Sequence, residues 1–239
     1  MKIRRSGVGF FLLILVILPG CYYLQRPSVP IAVDYYPGEL SEQAAKSLLI
    51  LLPGLGDNQQ AFAKRGFIAD VKALWPSVDV AAVNGHISYY QNRSIVNRLF
   101  EDVIQPARKR GYEKFYFVGI SLGGFGALLY ERDLMDTLDG IILLAPFLGD
   151  EEDYGYVLAN QEPNEPIPDD NIWPWLQSLS EDHRQRFYLG YGENDRFAQA
   201  HQLLADMLPP DNIAIGPGEH NWRSWQPLWR ELLVTIQKN

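Results

Sequence analysis

Ser121 stands in the run Gly119-Ile120-Ser121-Leu122-Gly123-Gly124, a Gly-x-Ser-x-Gly spacing. A serine hydroxyl is a poor nucleophile at neutral pH. It needs a histidine to take its proton, and the histidine needs a carboxylate to hold it in the right tautomer. The 239-residue chain offers four histidines, His86, His183, His201 and His220, and a single cysteine, Cys21. Glycines two residues either side of a serine let neighbouring main chain pass close by, as a serine at the tip of a sharp strand-to-helix turn requires. The bare spacing arises by chance in roughly one chain of this length in ten or fifteen, with glycine at about 7% of residues. Its meaning therefore rests on its surroundings. No Walker-type phosphate loop, cysteine pair or histidine cluster occurs, so nucleotide, redox and structural-metal chemistry lack support and no cofactor is expected.

Apolar runs rich in β-branched and aromatic residues recur at 46–52, 78–83, 114–119, 140–145, 186–191 and 212–215. Most are continuously apolar rather than alternating, the pattern of parallel strands covered on both faces. Helix-like stretches fall between them, at about 61–74, 94–110, 122–134, 198–208 and 222–237. This alternation predicts an α/β fold with a mostly parallel, doubly wound central sheet, whose ligand site lies beyond the carboxyl ends of the strands. Ser121 follows the run 114–119 and precedes a helix rich in small residues. That context favours a nucleophile over an ordinary turn. The helix's N-terminal dipole would also face any negative charge formed there.

From about residue 40 to the C-terminus the chain resembles the α/β-hydrolase fold family. The segments GISLGG and PGEHNWRSW look like the esterase branch that includes esterase D-like and enterochelin-esterase-like enzymes, and LLPGLGD is similar to the carboxylesterase and acyl-thioesterase branch. The resemblance implies a chain order of serine, acid and histidine, with the histidine in the loop after the last strand. His220 fits that place. His183 and His201 are expected on the surface, whereas His86, just after the run 78–83, is a candidate substrate contact at the crevice. The acid belongs in the loop after 186–191, where Asp195 is preferred, with Glu193 and the more distant Asp150 as competitors. For the oxyanion, the resemblance implies N–H groups of Leu122 and of Leu55, the latter in Pro53-Gly54-Leu55-Gly56-Asp57. Many relatives carry histidine where this chain has Pro53, so Gly54 competes with Leu55.

The first residues have the layout of an export signal: a basic start with Lys2, Arg4 and Arg5, an apolar run over 8–18, then Pro19-Gly20-Cys21. A run of this length is shorter than the roughly 20 residues a membrane-spanning helix needs. Leu18-Pro19-Gly20-Cys21 resembles the lipobox of bacterial lipoproteins, in which the cysteine is lipidated; Pro19 departs from the usual small or aliphatic residue. A lipid on Cys21, or a retained signal anchor, implies an exported, membrane-anchored protein facing the periplasm or cell exterior. The expected organisation is a signal over 1–20, a tether and first strand region over 21–40, and a hydrolase domain over 41–239. With one cysteine, no intrachain disulfide supports that domain.

Residues 150–182 interrupt the alternation with ten carboxylates, four prolines and no Lys or Arg. They read either as a cap over the site or as a solvated insertion. A formal charge of −8 argues against nucleic acid as a partner. Trp222, Trp225 and Trp229 suit a helix packed on the sheet, with an acyl pocket as the alternative. The resemblance implies a carboxylic-ester hydrolase acting on a small or lipid-like acyl substrate. Two rivals stand beside it: an acyltransferase with the same triad, and a non-catalytic lipoprotein that binds through the same fold.

Overall fold

The computed structural model describes residues 25–39, 46–135, 138–163 and 166–238. The expected signal and Cys21 lie outside them. Seven strands form one sheet: β1 (Val33–Tyr36), β2 (Ser47–Leu52), β3 (Asp79–Val83), β4 (Lys114–Ile120), β5 (Gly140–Leu144), β6 (Phe187–Gly192) and β7 (Ile213–Gly216). Their spatial order is β1-β3-β2-β4-β5-β6-β7. Only β1 runs antiparallel, pairing Val33 with Val83 through Tyr36 with Val80. All other pairings are parallel. Leu48 through Leu52 are wholly buried, as are nearly all residues of β4 and β5. That burial explains their unbroken apolar character, because each side chain taken from water contributes about 1.5–3 kcal/mol.

The helices are α1 (Gln60–Lys64), α2 (Phe67–Leu74), α3 (Ile87–Gln91), α4 (Ile95–Arg98), α5 (Gln105–Lys109), α6 (Leu122–Asp133), α7 (Glu151–Leu158), α8 (Trp173–Ser178), α9 (Glu181–Arg184), α10 (Ala198–Ala205) and α11 (Trp222–Ile236). α6 packs on β2, β4 and β5 beside α4, whereas α11 packs on β5, β6 and β7 beside α2. The helix expected over 61–74 is two, because Gly66 at φ 83° ends the first and starts the second. The helix expected over 94–110 contains a π-helical stretch, Leu99–Ile104, just before Pro106. Proline has no N–H to offer the regular ladder, and a wider turn ahead of it absorbs the mismatch.

The segment 150–182 holds α7, α8 and the start of α9. Its anchor is Trp173, wholly buried, whose indole N–H donates to the Leu148 carbonyl at 2.8 Å. Ile172 and Leu176 are buried beside it. Asp150 and Asp153 form a capping box at the start of α7, so part of the acidic character serves a helix end.

Candidate active site

Ser121 links β4 to α6 with φ 50° and ψ −114°, a backbone conformation that costs a non-glycine residue roughly 1–3 kcal/mol. Three contacts hold it there. Its N–H donates to Leu144 O at 3.0 Å, and its carbonyl accepts from Phe125 N–H at 3.1 Å and Phe147 N–H at 2.9 Å. The flanking glycines have no room for a side chain. A Cβ on Gly119 would overlap the main chain of Gly123 and Gly124, and one on Gly123 would overlap the Leu52 carbonyl. A Cβ on Gly124 would lie 2.8 Å from Pro146. The spacing of the motif thus reflects three close backbone approaches around one strained residue.

The loops after β6 and β7 are joined to each other. Glu193 N–H donates to Gly216 O at 2.9 Å and Asn194 N–H to Gly218 O at 3.0 Å. This seam brings together two residues 25 positions apart: His220 Nδ1 lies 2.8 Å from Asp195 Oδ2. His220 Nε2 lies 2.8 Å from Ser121 Oγ. Asp195 Oδ1 also accepts from Phe197 N–H at 2.9 Å. A carboxylate facing Nδ1 places the ring proton there and leaves Nε2 as an acceptor for the serine hydroxyl. Burial pushes the Asp195 carboxyl up, but the hydrogen bonds from His220 and Phe197 and the nearness of His220 outweigh it and hold it below the usual carboxylate range. Of the competing acids, Glu193 is exposed and Asp150 caps α7.

Beside the serine, Gly54 to Asp57 form a tight turn in which Asp57 N–H donates to Gly54 O at 3.2 Å and Gly56 adopts φ 89°. A Cβ on Gly54 would lie 3.6 Å from Ser121 Cβ, so the turn abuts Ser121. Leu122 is the first residue of α6, where helix geometry supplies no acceptor for its N–H. Neither Leu122 N–H nor Leu55 N–H has a main-chain acceptor among the described residues. Leu55 is 50% exposed.

Two of the other histidines sit differently from expectation. His201 and His183, expected on the surface, are buried. His201 faces the sheet from α10 on the same side as Ala200 and Leu204, and its Nε2 lies 2.9 Å from Pro146 O. Burial pushes its pKa down to about 4, against opposing effects from Pro146 and Asp195. His183 Nε2 lies 2.9 Å from Glu131 Oε1, and Arg186 Nη2 lies 3.3 Å from the same oxygen. The helical spacing of His201 with Ala200 and Leu204 was a legible signal of its burial. His86 is 2% exposed with its ring 4.5 Å from that of Tyr89, and burial lowers its pKa.

A cavity of about 770 Å³ opens beside α6, lined by Tyr90, Phe125, Phe147, Arg132, Asp170 and Ile172 among others. An edge-to-face row of rings joins it to the histidine: Phe125 to Phe147 at 6.0 Å, Phe147 to Phe197 at 5.7 Å, and Phe197 to His220 at 5.2 Å. Residues 169–172 close one side, with Arg132 Nη1 donating to Asp169 O at 3.2 Å. Trp225 and Trp229 pack α11 onto the core, so the packing reading of those two tryptophans describes their place.

The mostly parallel seven-stranded sheet and its helices superimpose on known structures. The fold is that of the α/β-hydrolases. A ferulic acid esterase superimposes with a TM-score of 0.59 at 14% identity, covering 87% of this chain and 97% of the other. S-formylglutathione hydrolase from Staphylococcus aureus gives 0.57 at 15% identity, covering 82% and 83%. Est1E from Butyrivibrio proteoclasticus, solved with ferulic acid bound, gives 0.56 at 17%, covering 87% and 95%. No family model and no curated protein matches the sequence. The α/β-hydrolase fold thus persists here at low identity, as expected where strand burial rather than particular residues defines the sheet.

Proposed function

We propose that the protein is a serine hydrolase that cleaves a carboxylic ester or thioester through an acyl-enzyme on Ser121. The observation that carries this reading is the continuous hydrogen-bonded line from Ser121 Oγ through His220 to Asp195, each step at 2.8 Å. In this mechanism Ser121 Oγ attacks the carbonyl carbon while its proton passes to His220 Nε2, and Asp195 stabilises the imidazolium. The N–H groups of Leu122 and Leu55 receive the developing oxyanion, an arrangement whose loss costs roughly 10²–10³ in turnover per donor. The alcohol or thiol leaves with the proton from Nε2. Water then gives a proton to Nε2 and attacks the acyl carbon, and as this second tetrahedral intermediate collapses Nε2 returns the proton to the departing Ser121 Oγ, freeing the acid.

The 770 Å³ cavity and the ring row that leads to it suit a bulky apolar group on one side of the scissile bond. The esterases among the structural neighbours agree with this chemistry. A fluorophosphonate probe should label the folded protein and fail to label Ser121→Ala; absence of labelling in folded wild-type protein overturns the reading. A series of p-nitrophenyl esters of increasing size then measures how the cavity is used.

For localisation, the lipobox-like Leu18-Pro19-Gly20-Cys21 supports an exported lipoprotein tethered through Cys21. Metabolic labelling with a palmitate analogue should mark the wild type and not Cys21→Ser. Equal labelling of both would remove Cys21 from that role.

A further inference from the structure

Three tryptophans line the start of α11, and they are not equivalent. The indole N–H groups of Trp225 and Trp229 are buried with no hydrogen-bond partner among the described residues. That of Trp222 donates to Asp57 Oδ2 at 3.0 Å, across 165 residues of chain. Asp57 is the last residue of the turn that carries Leu55, and Trp222 lies two residues beyond His220. Within the turn Asp57 N–H donates to Gly54 O at 3.2 Å, and Leu55 is 50% exposed. Trp222, by contrast, is gripped on several sides. Its ring meets those of Phe67 at 5.3 Å, Trp225 at 5.5 Å and Phe62 at 5.9 Å, all near edge-on, and the Arg65 guanidinium lies 5.7 Å over it. Trp225 in turn contacts the His220 ring edge-on at 5.0 Å.

We propose that Asp57 and Trp222 are positioning residues whose hydrogen bond locks the Gly54–Asp57 turn to the histidine loop, so that the oxyanion donor and the base keep one geometry. The inference rests on the hydrolase reading above. It acts only through the main chain of the turn, because neither side chain is placed on the reacting atoms. An oxyanion donor is effective only when aimed at the position the oxygen takes in the transition state. A turn free to rotate would still admit substrate but would stabilise the tetrahedral intermediate less well.

The test uses the full-length protein and a p-nitrophenyl ester that the wild type hydrolyses. Trp222→Phe keeps a ring in the aromatic cluster and removes the donor; Asp57→Ala removes the acceptor; Asp57→Asn keeps an acceptor oxygen. Each single loss of the bond should lower kcat roughly tenfold, with KM within about twofold. Affinity for an aryl boronic acid, which forms a tetrahedral adduct on serine, should fall in parallel. Asp57→Asn should recover most of the rate. The double variant Asp57→Ala, Trp222→Phe should be no slower than either single one, because both remove the same bond. Losses that multiply in the double variant, or a rise in KM at constant kcat, overturn the proposal. If Trp222→Phe does not fold, the Asp57 pair decides alone: equal rates in Asp57→Ala and Asp57→Asn overturn it. Full activity in Ser121→Ala would instead defeat the underlying hydrolase reading, whatever these variants do.

Discussion

The Ser121 turn and the acidic segment 150–182, part of which lines the cavity beside α6, are built in opposite ways. Around Ser121, three successive close approaches leave Gly119, Gly123 and Gly124 without space for a Cβ, and three main-chain bonds hold the strained serine. In the segment, a Cβ on Gly155 would meet open space, and the ion pair between Arg93 and Asp170 spans 3.6 Å between side chains 79% and 65% exposed. Its buried anchor is Trp173, with Ile172 and Leu176 buried beside it. The Ser121 turn is therefore over-determined by backbone packing, while the segment is held chiefly by side chains. Such a division lets the wall change without moving the reacting atoms.

That contrast can be broken or sharpened by substitution. The largest effect is expected for Asp195→Asn, which should fold normally yet lower kcat by about 10⁴ through the wrong histidine tautomer; near-normal turnover would move the acid elsewhere. Gly123→Ala comes next. Forcing a Cβ against the Leu52 carbonyl should cost about 1–3 kcal/mol in urea unfolding and at least tenfold in kcat. A neutral result would show that the turn is not over-determined. Trp173→Phe removes the bond to Leu148 O and part of a wholly buried ring, so about 2–3 kcal/mol of stability should go, with KM for bulky esters rising several-fold and kcat holding. A fall in kcat for small esters would couple the segment to the chemistry. Arg93→Ala should change stability by about 0.5 kcal/mol or less, since exposed pairs contribute little.

Between the two regions, His201 predicts a pH effect. Its folded pKa of about 4 lies below its ordinary value of 6.5, so between these values the unfolded chain binds a proton that the folded chain does not. Stability should fall as pH drops through that window. His86, whose pKa burial also lowers, contributes in the same direction. In His201→Gln, which retains a donor for Pro146 O, the decline in Tm between about pH 6.5 and 4 should be shallower. An unchanged slope would show that His201 is not the group responsible.

Much of the architecture was legible because it rests on local pattern. Continuous apolar runs announced parallel strands, and Gly119, Ser121 and Gly123 announced a sharp turn, since both follow from sterics and burial within a few residues. The break at Gly66 and the π-helical stretch before Pro106 are equally local, set by a glycine at positive φ and by a proline without an N–H. The burial of His183 was not local: its partner Glu131 lies 52 residues away on α6.

By itself the sequence determined the α/β alternation, the place of the strained serine and the residue types able to activate it. Only the tertiary structure decided which carboxylate meets His220, because Asp195, Glu193 and Asp150 differ in how their loops return and not in chemistry. It also decided that Trp222 reaches Asp57 while its two neighbours on α11 do not. Such pairings depend on how seven strands are ordered in space, and parallel strands bring distant loops to one edge of the sheet irrespective of their separation in the chain.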